Sequence, residues 1–229
     1  MRIAMVGLKG IPFPAGIENF TEQVAAHLVR RGHQVTVYVR PYVLVGDEYR
    51  GVRIRHLPSI NTKHLDALSH TLLATVDVLG ADYDIVHYHA LGPAVFSLLP
   101  RLRGVPTVAQ VHGLDWQRAK WSAVASCCLR AAEYTAVHFP HRTLTISATL
   151  QRYLEGKYGR PVDYVPNGVD PCEYREPREI RRWGLGREDY VLFLARLVPE
   201  KGAHYLIEAY TRLASTRGKR LVIAGGASH

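Results

Sequence analysis

The sequence predicts an α/β fold, a Rossmann-like parallel sheet with helices on both faces, followed by an incomplete second α/β unit. Three observations carry this expectation. Short β-branched runs alternate with amphipathic helical stretches, the pattern of βα units on a parallel sheet. Glycines and chemically versatile side chains gather just after the β-runs, where an open parallel sheet binds its ligands. A Pro166-Asn167-Gly168 break then separates this series from a fresh strand–helix–strand pattern.

Residues 2–6 read as the first strand. A loop runs to Ala15-Gly16, and a helix follows with Ile17, Phe20, Val24 and Leu28 on one face, ending before Gly32. Strands are expected at 34–39 and 52–57, a helix at 65–79, a strand at 85–88, a helix at 94–102 and a strand at 107–111. The rhythm continues with a helix near 121–137, a strand at 143–146, a helix at 148–158 and a short strand at 162–165. Residues 171–188 are polar and charged, as a connector between domains is. Strand 190–194, helix 203–214 and strand 221–224 complete the pattern. The expected domains are therefore 1–170, a connector 171–188, and 189–229 as the opening βαβ of a second domain. Two strands and one helix cannot enclose a core, so that second unit reads as truncated.

Length and composition agree with this division. The 229 residues exceed one small domain and fall short of two full-sized ones, given about 100–150 residues as the common domain size. A hydrophobic share of 47% with 21% charged residues is that of a globular protein, which excludes disorder, collagen and coiled coil. Three cysteines with no CxxC spacing support neither a disulfide framework nor a structural zinc site. No apolar stretch reaches the roughly 18 residues of a membrane span, and the N-terminus does not read as a signal peptide. A cytoplasmic location is expected, with peripheral contact at the inner membrane face left open. The net charge of +9 is uneven: residues 1–115 hold 11 basic and 9 acidic side chains, residues 116–229 hold 18 and 11. The second half should attract anions. No long basic run or nucleic-acid motif appears, so a solvated Arg-rich surface is favoured over a nucleic-acid site, and phosphates on a small ligand or an acidic membrane surface stay open as partners.

The chemistry-bearing motifs sit at strand exits. The loop from Gly7 to Gly16 follows the first strand, and its last glycine opens a helix, where backbone N–H groups and the helix dipole can meet a phosphate or sugar. It is not GxGxxG, and Val39-Arg40 stands where a nicotinamide-cofactor site wants an acid, which argues against dinucleotide binding. His87 and His89 end one β-run, and His112-Gly113 follows the next. A structural role or a metal site are alternatives for these histidines. Position favours His112, because Asp115 and Trp116 follow it, and a carboxylate with an aromatic face suits a sugar ring; Trp116 could equally serve the core. Arg196 and Lys201 flank Leu197-Val198-Pro199-Glu200 between a strand and a helix. A guanidinium fork, an ammonium and a helix N-terminus together suit a diphosphate.

Together these residues resemble a retaining glycosyltransferase of the GT-B fold, glycosyltransferase family 4. The resemblance rests on Gly10–Gly16 with Glu18, Asp84-Ile-Val-His-Tyr-His89, Val111-His112-Gly113-Leu114-Asp115-Trp116, Ser147, Val165-Pro166-Asn167-Gly168-Val169-Asp170 and Arg196-Leu-Val-Pro-Glu-Lys-Gly202. The run from His112 to Trp121 is similar to a bacterial subgroup linked to cell-surface polysaccharide and rhamnosyl transfer.

The resemblance implies a nucleotide-sugar donor, a glycan or lipid-linked acceptor, and no divalent metal or other cofactor. It implies catalytic roles for His112 and Asp115, donor diphosphate binding by Arg196, Lys201 and Gly16, and acceptor or sugar contacts from Gly10, Glu18, His89, Trp116 and Asn167. Two departures from the family pattern stand out. Ala15-Gly16 replaces a frequent pair of glycines, and the Glu-x7-Glu motif that the family carries well past Gly225-Gly226 is not reached, the sequence ending at His229. The 229-residue chain is thus expected to be catalytically inactive by itself, with association through its open second sheet a further expectation. Rival readings are a non-catalytic glycan- or partner-binding module and a GT-B epimerase. The tract 116–142, which mixes Trp116, Trp121 and Phe139 with Arg118, Lys120, Arg130 and Arg142, is expected to meet an anionic membrane or lipid-linked acceptor.

Overall fold

The computed structural model describes residues 1–62, 65–117, 122–169, 176, 178–186, 190–213 and 218–226. The chain divides into two compact units, Met1–Gly168 and Val169–His229.

The first unit is an eight-stranded sheet built from β1 (Arg2–Val6), β2 (Gln34–Val39), β3 (Glu48–Tyr49), β4 (Val52–His56), β5 (Ile85–His89), β6 (Thr107–Val111), β7 (Arg142–Thr145) and β8 (Asp163–Tyr164). The spatial order is β3-β4-β2-β1-β5-β6-β7-β8, with every pairing parallel except β3 against β4. Strand order reverses at β1, which lies between β2 and β5. A crevice for ligands opens outside the carboxyl ends of the strands at such a switch point.

Alternation along the strands divides the core in two. Ile3 and Met5 of β1 join Val35, Val37, Val52 and Ile54 on one face, under helix α1 (Gly16–Arg30). Ala4 and Val6 join Val86, Tyr88, Ala109 and Val111 on the other, under α2 (Asp66–Leu79), α3 (Leu91–Ala94), α5 (Ala123–His138) and α6 (Ala148–Tyr158). Helices on both faces of a largely parallel sheet are what the sequence predicts. Along α1 the most buried line is Glu18, Thr21 and Ala25, with Val24 and Leu28 partly buried beside it. Small residues on that line bring the helix close to the strands. Ser147 closes the start of α6 by accepting the Leu150 N–H at 3.1 Å.

Two elements differ from expectation. β3 was not foreseen: a two-residue strand is too short to show a period, and it pairs with β4 through a turn whose Arg50 and Gly51 both have positive φ, 53° and 79°. The segment expected as one helix at 94–102 is instead α3, a 3-10 turn at Val95–Ser97 and α4 (Leu98–Leu102). Pro100 has no N–H to offer the carbonyl one turn back, which interrupts the ladder.

The second unit carries a 3-10 turn at Glu179–Trp183 and a two-stranded parallel sheet of β9 (Tyr190–Leu194) and β10 (Arg220–Ala224), joined through α7 (Ala203–Arg212). Gly225 is required there, since a Cβ on it would lie 1.8 Å from the Ala195 carbonyl oxygen.

Candidate functional site

On the α1 face the sheet turns from apolar to polar beyond β1. Met5 registers with His87, His87 with Val108, and His89 with Gln110, so three polar side chains share the face that α1 covers over β1 and β2. His89 and Gln110 are fully buried or nearly so, and His87 is half-buried. Among the described residues, the Nε2 atoms of His87 and His89 and both amide atoms of Gln110 are buried without a hydrogen-bond partner.

His112, the first residue after β6, stands over this group. Its ring lies nearly parallel to that of His89, with centroids 5.6 Å apart and 26° between planes, and its Nε2 is 3.3 Å from His89 Nδ1. His87 packs against His89 at 4.3 Å. Phe20, projecting from α1, meets the His112 ring edge-on at 5.4 Å and that of His89 at 6.4 Å. Burial pushes His112 down to about 4, burial with the neighbouring His112 does the same to His87, and His89 falls well below its ordinary value. All three imidazoles are therefore neutral at pH 7.

The backbone around His89 is tightly fitted. A Cβ on Gly7 would lie 2.7 Å from the His89 carbonyl oxygen and 2.5 Å from Pro93 Cβ, and Gly7 itself has φ 97°. Ala90, directly after His89, has φ 71° and ψ 165°, a region that glycine alone visits freely. Strain of this kind collects where geometry serves a site.

The other expected residues fall into three groups. Gly10 and Glu18 shape the loop after β1. Gly10, at φ 148°, has Val39 Cγ1 2.8 Å from where a Cβ would sit, and Glu18, buried, accepts the Lys9 backbone N–H at 3.1 Å. Gly16 opens α1 with empty space around the place of a Cβ. Asp115 and Trp116 form a 3-10 turn, Asp115–Gln117, three residues after His112. Trp116 packs on the core, donates its indole N–H to Glu133 at 2.6 Å and lies under Arg130 at 4.7 Å. Asn167 is exposed near the end of the first unit. In the second unit, Arg196 follows β9 and Lys201 ends the 3-10 turn Pro199–Lys201 before α7. Both side chains are exposed, with no ion pair among the described residues. Their loop is fastened by the Leu197 N–H to the Gly226 carbonyl at 3.0 Å.

Among the described residues no group of three His, Cys, Asp or Glu side chains is placed to hold a metal ion. Nor is any helix long and apolar enough to cross a membrane. Within the tract 116–142, Arg118, Lys120 and Trp121 lie outside the described residues, as do Asp170 and residues 171–175, 177, 187 and 188 of the connector.

Sequence reasoning missed four residues of this region. Phe20 reads as one more apolar position of α1. Gly7 and Ala90 matter through contacts and backbone angles that only the fold creates. Glu133 gives one signal, a carboxylate inside the apolar stretch Ala131-Ala132-Glu133-Tyr134, which asks for partners without naming them.

A largely parallel sheet with helices on both faces is a Rossmann-like unit. The chain belongs to glycosyltransferase family 4: the family model described as Glycosyltransferase Family 4 matches residues 14–173. It is 28% identical over 246 residues to an uncharacterized glycosyltransferase of Methanocaldococcus jannaschii, covering 98% of this chain and 63% of that protein. It is 30% identical over 248 residues to the GDP-mannose-dependent alpha-(1-6)-phosphatidylinositol monomannoside mannosyltransferase of Mycobacterium tuberculosis, covering 98% and 61%. The chain thus spans 61–63% of the length of these relatives. In fold it is similar to sucrose-phosphate synthase from Thermosynechococcus elongatus, with TM-score 0.80, 17% identity, and coverage of 99% of this chain and 63% of that one. It is also similar to Anabaena HepE in complex with UDP and glucose, with TM-score 0.73, 19% identity, and coverage of 100% and 62%.

Proposed function

We propose that the protein transfers a hexosyl or deoxyhexosyl group from a nucleotide diphosphate sugar to a hydroxyl of a glycan or lipid-linked acceptor, with retention of configuration. The observation that carries this reading is the neutral His89–His112 pair, with Phe20 against it, at the carboxyl ends of β5 and β6. Membership of family 4 supports it, as do relatives whose names specify GDP-mannose.

In this reading His112 hydrogen-bonds the reacting sugar with Asp115 close by in sequence. Arg196 and Lys201 bind the donor diphosphate and offset the charge that grows on the leaving group as the glycosidic bond breaks, so no divalent metal is needed. Their exposure and lack of ion pairs among the described residues support the assignment. Gly16 admits close approach of a phosphate or hydroxyl to the start of α1. Gly10, Glu18 and Trp116 shape the acceptor side through the loop after β1 and the turn after β6, and Asn167 borders it.

The test is turnover of a panel of nucleotide sugars by the whole protein and by its His112→Ala variant. We expect the variant to lose most of kcat with an almost unchanged melting temperature. Full activity in the variant, or no turnover of any nucleotide sugar by the unmodified protein, overturns the reading. For the 229-residue chain taken alone we infer no transfer and only weak donor binding, in the millimolar range or about −4 kcal/mol. Micromolar donor binding by calorimetry overturns that part.

A further inference from the structure

We infer that His89 is a positioning residue: its Nδ1–H donates to Nε2 of His112, so that His112 is held in the Nδ1–H tautomer and offers that N–H, rather than a lone pair, to a substrate hydroxyl. The inference rests on the role given above to His112 and adds a residue and a protonation pattern to it.

His89 has no accessible surface, so it acts on a ligand only through a neighbour. The 3.3 Å between His89 Nδ1 and His112 Nε2 places a single proton between the two rings, because both are neutral and each nitrogen can only donate or accept. Two arrangements satisfy that count. If His112 donates, His89 carries its proton on Nε2, and that N–H is buried with no partner among the described residues. If His89 donates, the atom left unpartnered is an imidazole lone pair instead. Buried orphan N–H groups are rarer than under-satisfied acceptors, which selects the second arrangement.

The consequence follows from the ring itself. With Nε2 accepting from His89, the proton of neutral His112 is on Nδ1, the nitrogen not held by the pair. Phe20 against the edges of both rings and His87 against His89 restrict rotation of the imidazoles, so the tautomer comes with a fixed direction. His112 is then a neutral hydrogen-bond donor and neither a general acid nor a general base.

Long-range proton–nitrogen NMR correlation at pH 7 on the 229-residue chain distinguishes the two tautomers of His112 directly. We expect the proton on Nδ1 in the unmodified chain, and a shift toward Nε2 in His89→Phe, which keeps a ring but has no donor. His89→Gln, whose amide N–H can still donate, should retain the original tautomer and guards against a folding defect in the Phe variant. In the whole protein, His89→Phe should lower kcat about tenfold with little change in KM, and His89→Gln should recover part of that loss. A proton on Nε2 of His112 in the unmodified chain, or a tautomer that ignores the loss of His89, overturns the inference. The NMR result does not depend on turnover, so a protein without transferase activity would sink the proposed function while leaving this measurement to decide the positioning role.

Discussion

Trp116 donates its indole N–H to Glu133 at 2.6 Å, tying the turn that follows His112 to the middle of helix α5. The Glu133 side chain has no exposed surface, and its other oxygen accepts from Lys157 at 2.7 Å, Tyr158 at 2.6 Å and Tyr153 at 3.2 Å. Burial alone would raise its pKa. The donors from Lys157, Tyr158 and Trp116 outweigh burial and hold the carboxyl below its usual range. Glu133→Ala would take the acceptor away from the Trp116 indole N–H and the Tyr158 phenol and the carboxylate away from Lys157, and we expect it to destabilise the protein by about 3 kcal/mol. At about 2–4 °C per kcal/mol, thermal melting would register a loss near 10 °C. Glu133→Gln, which keeps the shape, should cost less than half as much; equal costs would mean that the charge is irrelevant.

Acid should weaken the fold in the histidine range. His70, His87 and His112 are pushed down to about 4 by burial, and burial holds His89 well below its ordinary value. Between about 6.5 and 4 the unfolded chain therefore binds protons that the folded chain refuses, so stability is fully present above 6.5 and falls as the pH drops below it. Each group contributes up to about 1.4 kcal/mol per pH unit in that window. Glu133, with a lowered pKa, adds a further loss only below about 4.5. Urea unfolding at pH 7.5, 6.0 and 5.0 should give progressively lower midpoints. A flat profile down to pH 5 would show that the imidazoles are solvated.

Gly16→Ala separates a ligand role from a structural one. Nothing lies within 4 Å of the position a Cβ would take, and helix α1 gains a better helix former. The melting temperature should hold or rise slightly. If backbone approach at this point serves the donor, transferase activity in the whole protein should fall about tenfold or more, with the change in donor KM. Unchanged kinetics would remove Gly16 from the site.

Ala90→Gly tests stored strain. At φ 71° and ψ 165° the alanine sits where only glycine is at ease, at a cost of order 1–3 kcal/mol, part of which glycine gives back in unfolded-state entropy. We expect a net gain of about 1 kcal/mol in chemical denaturation. A loss would mean that the Ala90 methyl makes packing contacts worth more than the strain.

Much of the fold is legible because it depends on local periodicity. β1, β2, β6, α6 and β9 fall on their expected residues, since alternating apolar positions and clear caps such as Ser147 act within a few residues. The exits of β1, β5, β6 and β9 can be located, as candidate positions, for the same reason. What could not be read depends on separation in sequence. Glu133 draws partners from 17 to 25 residues away on two other elements, the turn at Asp115–Gln117 and helix α6, and Phe20 turns toward histidines that lie far along the chain. His89 and His112 look alike as lone histidines after strands, and only the β5–β6 register and their burial show that one supports the other.

The loop leaving β1 is fastened at three successive points. Gly7 is fitted against the His89 carbonyl and Pro93, the Lys9 N–H is held by Glu18, and the Lys9 carbonyl accepts the Arg40 N–H at 2.8 Å. Its conformational freedom is therefore given up when the chain folds and not when a ligand arrives. A molecule reaching the exits of β1 and β5 meets a preorganised rim, so its association should carry little of the unfavourable entropy that ordering a loose loop imposes. The same fastening makes the rim unforgiving of shape: a ligand too large for it cannot be accommodated by local yielding without also displacing the end of β5.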